Sequence, residues 1–348
     1  MYRFIIRPIF FAFDPEWVHY FSLNLLKLIC IIPFAKSIIR FFYQNSSQNI
    51  EKELFGIKFK NPVGLAAGFD KNGKYIKELS LFGFSFIEIG TVTPKSQIGN
   101  PKKRLFRLKK DEAIINRLGI NNDGVAVIAK RLKNNNTKII IGGNIGKNST
   151  TKNENAEQDY IENFKELHPY VDYFALNVSC PNVSNFTKLQ DVEFLKKLVP
   201  ELNRINAIQK KRKPILIKIS PDLNHSQLDQ TIELIKNEKL DGIIATNTTT
   251  KRNLLKTDTN EIKKIGNGGL SGLPLKDQSN EVIKYIADKT QKSIPIIGVG
   301  GIMSPKDALD KIKAGADLIQ LYTGFIYSGP SIVKKINQHL SKNNESKH

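Results

Sequence analysis

Apolar runs of four to seven residues recur along the chain after Leu54, and amphipathic stretches separate most of them. Short apolar runs that end at turn residues are typical of buried strands, whereas apolar residues three and four apart predict helices with one buried face. The predicted strands are Val63–Ala66, Phe84–Gly90, Lys138–Asn144, Tyr173–Val178, Ile215–Ile219, Gly242–Thr246, Ile294–Val299 and Leu318–Tyr322. The predicted helices are Val125–Lys133, Ala156–His168, Asp191–Asn206, Ser226–Asn237, Lys276–Lys289, Pro305–Ala314 and Pro330–Leu340.

Eight buried strands that alternate with helices predict parallel β/α units. The count of eight favours a closed (β/α)8 TIM barrel of the α/β class over a doubly wound sheet. The unit after the second strand is the least regular, because no obvious long helix follows that strand directly. We assign residues 45–348 to the barrel and residues 1–44 to a separate N-terminal helical segment.

The N-terminal segment has a different pattern, since residues 1–43 hold 12 of the 31 aromatic residues. Asp14-Pro15-Glu16 is a favourable helix start, with proline in the first turn and acidic groups near the helix N-terminus. Apolar residues at helical spacing follow from Trp17 to Ile32, and Pro33 ends that run. A second short amphipathic helix is predicted over Ala35–Tyr43.

This segment is too interrupted by charges and prolines for a transmembrane helix, which needs about 20 consecutive apolar residues. It also lacks the compact apolar region and small-residue cleavage site of a signal peptide. Two short helices with a broad aromatic face and several basic residues fit a segment that lies on a membrane surface. The alternative is a helical hairpin packed on the main domain. The basic residues are Arg3, Arg7, Lys27, Lys36 and Arg40.

The chain carries 53 Lys and Arg against 33 Asp and Glu, a net charge of +20. Such a charge suits nucleic acid, an anionic membrane surface or anionic small ligands. A general enrichment in Lys, Asn and Ile can also produce it without any function. Cys30 and Cys180 are too few for a disulfide framework, which fits a reducing compartment. The five histidines are scattered, so no metal site is expected.

Glycine or polar residues follow every predicted strand. In a (β/α)8 barrel the active site lies at the carboxyl ends of the strands, so these residues are expected to face one another. The segments are Ala67–Lys71, Gly90–Pro94, Gly142–Lys147, Asn177–Asn182, Lys218–Asp222, Ala245–Thr249, Gly298–Ile302 and Tyr322–Phe325. Loops are often rich in glycine and polar residues, so any one of these segments could be an ordinary loop. The presence of such residues after all eight strands is harder to explain in that way.

Three chemical features of this face point to a bound cofactor and an acidic substrate. Gly298–Gly301 and Gly324 follow strands seven and eight, where barrels usually bind a phosphate through backbone N–H groups. Lys218 points inward from strand five, where a buried ammonium needs an anionic partner or an electron-rich cofactor edge. Lys71 offers a second cation. Taken singly, these features are equally compatible with a tight turn and solvated lysines.

Side-chain amides are also concentrated here. Asn116, Asn177, Asn182 and Asn247 together with Thr248 can hold a planar ring that carries amide and imide groups, because each amide both donates and accepts hydrogen bonds. In isolation, Asn177 and Asn182 are also compatible with a turn in which they bond backbone groups.

Eleven motifs spread over nearly the whole chain make the barrel resemble dihydroorotate dehydrogenase. They are NPVGLAAGFDK, FIEIGTVTP, RLFRL, NRLGINN, NIGKN, NVSCPN, IKISPDL, IATNTT, GGLSG, IIGVGGI and LYTGFIY. The N-terminal helices, with Asp14-Pro15-Glu16 and His19, look like the membrane-associated, quinone-reducing class 2 of that family. The resemblance implies oxidation of (S)-dihydroorotate to orotate in de novo pyrimidine biosynthesis. It also implies a peripheral location on the cytoplasmic face of the bacterial inner membrane, with its anionic surface.

The resemblance also implies the roles of individual residues. FMN is expected at Ala67, Gly68, Phe69, Asp70, Lys71, Thr91, Asn144, Asn177, Lys218, Thr246, Gly272, Gly301, Tyr322 and Thr323. Dihydroorotate is expected at Lys71, Asn116, Arg117, Leu118, Gly119, Ile120, Asn177, Asn182, Asn247 and Thr248. His19 and Arg107 match positions of quinone access, and Cys180 matches the catalytic base.

The chain departs from class 2 at this last position. Class 2 members have serine there, whereas Cys180 is the mark of class 1. Val183, Asn185 and Thr187 replace the usual threonine, glycine and arginine, and Ile120 stands where an aromatic residue is usual. Because a thiol is far more acidic than an alcohol, catalysis is expected to survive with a shifted pH profile.

Other functions remain open on the sequence. A class 1-like enzyme that uses fumarate or NAD is favoured by Cys180 and opposed by residues 1–43, His19 and Arg107. A tRNA-dihydrouridine synthase is also an FMN barrel with an active cysteine, but no RNA-binding extension follows Ile326, and no nucleic-acid partner is expected. A non-catalytic, membrane-bound scaffold would explain the altered loop over residues 183–187.

Overall fold

The computed structural model describes residues 2–44, 50–178 and 192–345. Its strands are β1 (Lys52–Leu54), β2 (Ile57–Phe59), β3 (Val63–Leu65), β4 (Phe86–Val92), β5 (Leu105–Leu108), β6 (Ala113–Asn116), β7 (Ile140–Ile145), β8 (Tyr173–Asn177), β9 (Ile215–Ile219), β10 (Gly242–Ala245), β11 (Gly269–Gly272), β12 (Ile296–Val299) and β13 (Leu318–Leu321). Its helices are α1 (Arg7–Ala12), α2 (Pro15–Ile29), α3 (Ala35–Tyr43), α4 (Ile76–Leu79), α5 (Val125–Lys133), α6 (Ala156–Leu167), α7 (Val192–Ala207), α8 (His225–Asn237), α9 (Thr259–Ile265), α10 (Lys276–Thr290), α11 (Pro305–Lys313), α12 (Thr323–Ser328) and α13 (Ser331–Glu345).

Eight parallel strands close into a barrel in the order β10-β12-β13-β3-β4-β7-β8-β9, and β9 pairs with β10 to complete it. Each is one of the eight strands predicted from the apolar runs, so the predicted (β/α)8 barrel is confirmed. The strands are almost entirely buried because helices cover their outer faces, as expected for a parallel sheet. Three barrel strands start two residues later than predicted, namely β4 at Phe86, β7 at Ile140 and β12 at Ile296.

The hairpin of β1 and β2 closes the amino end of the barrel. Phe59 packs edge-to-face on Phe86, with ring centroids 5.3 Å apart, and both belong to the apolar cluster inside the barrel. Leu54, Phe55 and Ile57 pack against the same cluster. The barrel interior is therefore filled from this end, and the cavity described below opens at the carboxyl ends of the strands.

The sequence patterns did not predict a three-stranded antiparallel sheet in the order β11-β6-β5. Gly269 lies opposite Asn116, and Leu105 lies opposite the same residue on the other side. The sheet includes β5 and β6, which lie in the chain between β4 and α5, so no helix directly follows the second barrel strand. It brings Asn116 and Gly272, which are far apart in sequence, to the rim of the barrel mouth.

The N-terminal segment is helical almost throughout. Asp14 caps α2 by accepting hydrogen bonds from the backbone N–H groups of Glu16 and Trp17, as predicted for this helix start. The helix ends at Ile29, three residues before the predicted end, and residues 2–12 form an additional, unpredicted helical stretch. No helix within the described ranges is long and apolar enough to cross a membrane.

Candidate active site

A cavity opens at the carboxyl ends of the barrel strands and encloses about 1020 Å³, counted out to its open mouth. Residues at the carboxyl ends of all eight barrel strands, and of β6 and β11, contribute to its wall. From the predicted set it is lined by Ala67, Gly68, Lys71, Thr91, Asn116, Leu118, Gly119, Ile120, Asn144, Asn177, Lys218, Thr246, Asn247, Thr248, Gly272, Gly301, Tyr322 and Thr323. The convergence expected from the segments after each strand is therefore present.

A buried ion pair lies at the floor of the cavity. Glu88 is fully buried, and its Oε1 lies 3.4 Å from the Nζ atom of Lys218, which is 6% exposed. Asn144 Nδ2 donates to the same oxygen at 2.9 Å, while Gln320 Nε2 donates to Oε2 at 2.7 Å. Glu88 thus supplies the anionic partner that the inward-pointing lysine requires.

The alternation of side chains along parallel strands explains why these polar groups meet. Phe86 and Glu88 both point into the barrel from β4, two residues apart, and Tyr173 enters from β8 to donate to Glu88 Oε2 at 3.1 Å. Gly142 makes room for that ring, since a Cβ atom there would lie 2.2 Å from the Cζ of Tyr173. Burial and the neighbouring Glu88 hold the pKa of Tyr173 well above its usual value, so it remains a neutral donor.

A chain of hydrogen bonds runs along the cavity wall toward this ion pair. Asn247 Nδ2 donates to Asn177 Oδ1 at 3.3 Å, and Asn177 Nδ2 donates to Thr91 Oγ1 at 2.7 Å. Thr91 Oγ1 in turn donates to Asn144 Oδ1 at 2.6 Å. Because Asn144 also donates to Glu88, each amide is fixed in one orientation before any ligand binds.

The opposite side of the cavity is formed by closely packed backbone segments, with glycine at two of the contacts. Gly301 has φ +71°, and a Cβ atom there would lie 2.2 Å from Lys276 Cα. A Cβ atom at Gly324 would lie 1.9 Å from the carbonyl oxygen of Ile302. These glycines bring β12 and β13 loops together at the end of the cavity, where backbone N–H groups suit a phosphate.

Two polar atoms on the cavity wall have no hydrogen-bond partner among the described residues. They are Thr246 Oγ1 and Gln320 Oε1, both buried. Buried polar groups are usually paired, so unpaired atoms that line a cavity fit a polar ligand. The cavity therefore offers apolar and glycine surfaces, unsatisfied polar atoms and a lysine in one continuous space.

Eight of the ten predicted substrate residues line the cavity. Lys71 Nζ donates to Asn121 Oδ1, and Asn116 Nδ2 donates to the carbonyl oxygen of Gly269 at 3.3 Å. Arg117 does not line the cavity, although it was predicted to contact substrate. Its guanidinium lies over the ring of Phe106, 4.9 Å from the centroid, and bonds backbone carbonyls on the outer side.

A second cavity of about 480 Å³ lies between α2 and the barrel. Gly68, Lys71, Leu118 and Tyr322 line both cavities, so these residues form a shared wall. Phe69 and Asp70, predicted as cofactor contacts, line only the second cavity. The Asp70 carboxylate accepts the backbone N–H groups of Lys74 and Tyr75 at 2.9 and 2.8 Å.

His19, which was predicted to lie on the path of quinone access, extends from α2 into this second cavity. Its ring meets the Phe69 ring edge-on, with centroids 4.9 Å apart. Burial lowers the pKa of His19 to about 4, so the imidazole is neutral near physiological pH. Burial also raises the pKa of Asp70 to about 6, against the lowering effect of its two backbone hydrogen bonds.

Arg107 does not line the second cavity but fastens the N-terminal helices above it. Its guanidinium donates to the carbonyl oxygens of Phe10 and Phe13 at 3.1 and 2.9 Å, and lies 4.5 Å from the centroid of the Phe11 ring. Burial lowers the pKa of Arg107, although it stays protonated at any physiological pH. Its role in this structure is to position residues 10–13.

Cys180 and Asn182, the predicted base and one predicted substrate contact, lie outside the described residues. Within the described ranges no cluster of three or more His, Cys, Asp or Glu could hold a metal ion. Sequence reasoning missed Glu88, Tyr173 and Gln320 as members of the site. The available signal was the presence of Glu88 and Gln320 inside otherwise apolar strand runs, where a buried polar group needs partners.

The comparisons with known proteins agree on one family. The sequence model of dihydroorotate dehydrogenase matches residues 49–343. A relative from Christiangramia forsetii, named dihydroorotate dehydrogenase (quinone), is 54% identical over 341 residues, which cover 98% of both chains. One of the same name from Idiomarina loihiensis is 42% identical and covers 97% of this chain and 99% of its own. The crystal structure of DHODH from Eimeria tenella in complex with ferulenol has a TM-score of 0.84 at 32% identity, covering 96% of this chain and 93% of that one.

Proposed function

Because the chain belongs to the dihydroorotate dehydrogenase family, we propose that it oxidises (S)-dihydroorotate to orotate and passes the electrons to a membrane quinone. The observation that carries the proposal is the pair of adjoining cavities. One lies at the barrel mouth among lysine and amide side chains, and the other lies under α2 and shares four wall residues with it. A substrate and a second, apolar reactant could therefore approach the shared wall from two separate cavities.

We propose FMN as the flavin, held by the predicted cofactor residues that line the first cavity. Two features support this choice. The close backbone approach at Gly301 and Gly324 suits a terminal phosphate, and the unpaired Thr246 Oγ1 and Gln320 Oε1 suit the polar edge of a ring. Phe69 and Asp70 would support the cofactor wall from the second cavity. When bound, FMN supplies the two-electron acceptor.

The protein's own residues bind and orient the substrate. Lys71 offers an ammonium group for the dihydroorotate carboxylate. Asn116, Asn177 and Asn247 with Thr248 offer donors and acceptors for its amide and imide groups. The hydrogen bonds that already fix Asn177 and Asn247 reduce the ordering required when substrate binds. Asn182 would complete this set from the loop that also carries Cys180.

We propose that Cys180 is the base in dihydroorotate oxidation. It would remove a proton from the ring carbon that lies between the ring carbonyl and the carbon that bears the carboxylate. A cysteine thiol is a stronger acid than a serine hydroxyl, so cysteine forms its basic thiolate more easily than serine forms an alkoxide. Lys218, buried against Glu88, would keep a positive charge beside the cofactor and favour its electron-rich state. Buried surroundings strengthen both effects by excluding water.

The N-terminal segment is proposed to associate peripherally with the anionic cytoplasmic face of the inner membrane. Sixteen large apolar residues of this segment are exposed, among them Phe4 at 86%, Phe34 at 81% and Phe41 at 79%. Such a concentration of exposed apolar surface marks an interaction site. Quinone, which resides in the membrane, would enter between these helices and reach the cavity that His19 lines.

A class 1-like electron acceptor is the second candidate, favoured only by the cysteine at position 180. A sequential experiment distinguishes the two. The purified protein is expected to contain stoichiometric FMN, which chromatography of the released flavin identifies. Anaerobic dihydroorotate should bleach the flavin absorbance, and a soluble quinone should restore it far faster than fumarate or NAD. Failure to bleach, or faster recovery with fumarate or NAD, would refute the proposed reaction.

A further inference from the structure

Lys311 is a buried lysine that the proposed reaction does not use. It lies on α11, is 0% exposed, and ranks among the largest fully buried side chains of the protein. None of the ion pairs found among the described residues includes it. Its Nζ donates instead to two neutral acceptors, Ser279 Oγ at 2.9 Å and Asn280 Oδ1 at 2.7 Å.

This lysine lies directly behind the carboxyl end of β12. A Cβ atom at Gly298 would lie 2.8 Å from Lys311 Cγ and 2.9 Å from its Cδ, so the side chain runs against the back of that strand end. Ser279 connects the amino group to the strand end, because its Oγ donates to the carbonyl oxygen of Val299 at 2.7 Å. One layer of backbone, Gly298 to Gly301, therefore separates the lysine from the end of the cavity.

The charges around Lys311 are already engaged with each other. Asp307 Oδ1 pairs with Lys276 Nζ at 2.7 Å, and Asp307 Oδ2 accepts from Met303 N and Ser304 Oγ. Burial lowers the pKa of Lys311 to about 7, and Lys276 acts in the same direction, while Asp307 and Asp277 raise the pKa by less than burial lowers it. Two neutral acceptors match the two N–H groups of an uncharged amine and leave the third donor of an ammonium unsatisfied.

We propose that Lys311 is a positioning residue for the cofactor phosphate: it takes up a proton when the phosphate binds on the other side of the Gly298–Gly301 segment. This inference rests on the proposed FMN site. A phosphate dianion is the strong negative charge that the buried amine lacks, and an opposite charge nearby favours the protonated form. By linkage, FMN affinity must then fall as pH rises through the range in which Lys311 loses its proton.

The test is calorimetric titration of the apoprotein with FMN at pH 8, in two buffers of different ionisation enthalpy. The wild type and the exposed control Lys313→Met, which removes the same charge two residues further along α11, are expected to take up a fraction of a proton per FMN bound. Lys311→Met should lose that fraction while still binding FMN. Equal proton uptake in all three proteins would overturn the inference.

A second measurement uses only the wild type, in case Lys311→Met does not fold. Riboflavin lacks the phosphate, so the ratio of riboflavin to FMN dissociation constants isolates the phosphate contribution. This ratio is expected to fall on the order of tenfold between pH 7 and pH 9.5, a range in which the cofactor phosphate itself stays doubly charged. A ratio independent of pH would refute the role of Lys311. Absence of FMN binding in every protein would instead refute the proposed cofactor site.

Discussion

Glu88 and Lys218 form an ion pair in the interior of the barrel, with 3.4 Å between the Glu88 Oε1 and Lys218 Nζ atoms. Both side chains are buried, and the carboxylate also accepts hydrogen bonds from Asn144, Tyr173 and Gln320. A buried pair of this kind contributes little net stability compared with apolar residues, but removing one partner leaves the other charge uncompensated. Its presence on the cavity floor points to a function in holding the lysine charge in place.

Glu88→Leu should therefore destabilise the protein by about 3–5 kcal/mol, because it removes the carboxylate that compensates the buried Lys218 ammonium. The double variant Glu88→Leu/Lys218→Met should recover much of that loss in urea unfolding, since no buried charge remains. The single variant Lys218→Met completes the double-mutant cycle. A double variant as unstable as the sum of the two single variants would show that the two residues do not interact.

A second buried ion pair joins the N-terminal segment to the barrel. Arg104 NH2 lies 2.6 Å from Glu16 Oε1, and its Nε lies 3.0 Å from Oε2, so the contact is bidentate. Arg104 NH1 also donates to the carbonyl oxygens of Ile98 and Asn100. This arrangement raises the pKa of Arg104, chiefly through the hydrogen bond to Glu16.

Glu16→Ala should weaken the attachment of α2 by about 3–5 kcal/mol. Hydrogen exchange over residues 2–29 is expected to accelerate strongly while exchange in the barrel strands stays unchanged. Quinone reduction should fall, whereas flavin bleaching by dihydroorotate should persist. Glu51→Ala, which alters an exposed acidic residue, is the matched control. Equal protection of α2 in both variants would exclude this attachment role.

The low pKa of His19 predicts acid sensitivity of the same region. The pKa is about 4 in the folded protein and about 6.5 in an unfolded chain, so the unfolded state binds more protons between these values. Stability should fall as the pH decreases from 6.5 toward 4. Asp70, with its raised pKa of about 6, acts in the opposite direction over nearly the same range.

The measurement is therefore a difference between two proteins. Thermal unfolding of wild type and His19→Gln at pH 7, 6, 5 and 4.5 should show a smaller acid-induced loss in the variant, by a few degrees. Since Asp70 is present in both proteins, its contribution cancels. Parallel pH profiles for the two proteins would contradict the assignment of His19 as the group that resists protonation.

Exposed aromatic rings of the N-terminal segment predict membrane binding. The triple variant Phe4→Ser/Phe34→Ser/Phe41→Ser should bind anionic vesicles at least about tenfold more weakly, because each buried ring contributes roughly 1.5–3 kcal/mol when fully removed from water. The matched control replaces three exposed apolar residues of the barrel, Ile98, Ile208 and Leu254, by serine. Vesicle sedimentation measures both. Equal binding of the two triple variants would show that residues 1–44 are not the membrane contact.

The barrel could be predicted because its strands are buried on both faces and read as continuous apolar runs bounded by glycine or polar residues. The antiparallel sheet of β5, β6 and β11 could not, since its strands are only four residues long, β5 contains an arginine and β11 two glycines. In addition, β11 pairs with β6 across more than 150 positions of the chain. The candidate site could also be predicted only in part. Motifs identified most of the lining residues, but the pairing of Glu88 with Lys218 depends on the register of strands that are distant in sequence.

Cys180 offers the sharpest test of the chemistry, because it is the proposed base and the resemblance to class 2 leads us to expect a serine at its position. As a general base it should contribute about 10²–10⁴-fold to the rate of flavin reduction by dihydroorotate. Cys180→Ala is expected to lose that factor in anaerobic stopped-flow measurements, while FMN content and reoxidation by quinone stay unchanged. Cys180→Ser should retain activity with its pH profile displaced to higher pH, since serine is the weaker acid.

Cys30→Ala is the natural control, because it removes the other thiol of the chain from the buried end of α2, away from the barrel mouth. Its flavin reduction rate should equal that of the wild type. If Cys180→Ala reduced its flavin as fast as Cys30→Ala, the base would have to be another group. If Cys180→Ser reduced its flavin faster than the wild type at neutral pH, the greater acidity of the thiol would not favour catalysis. The argument from thiol acidity would then be wrong.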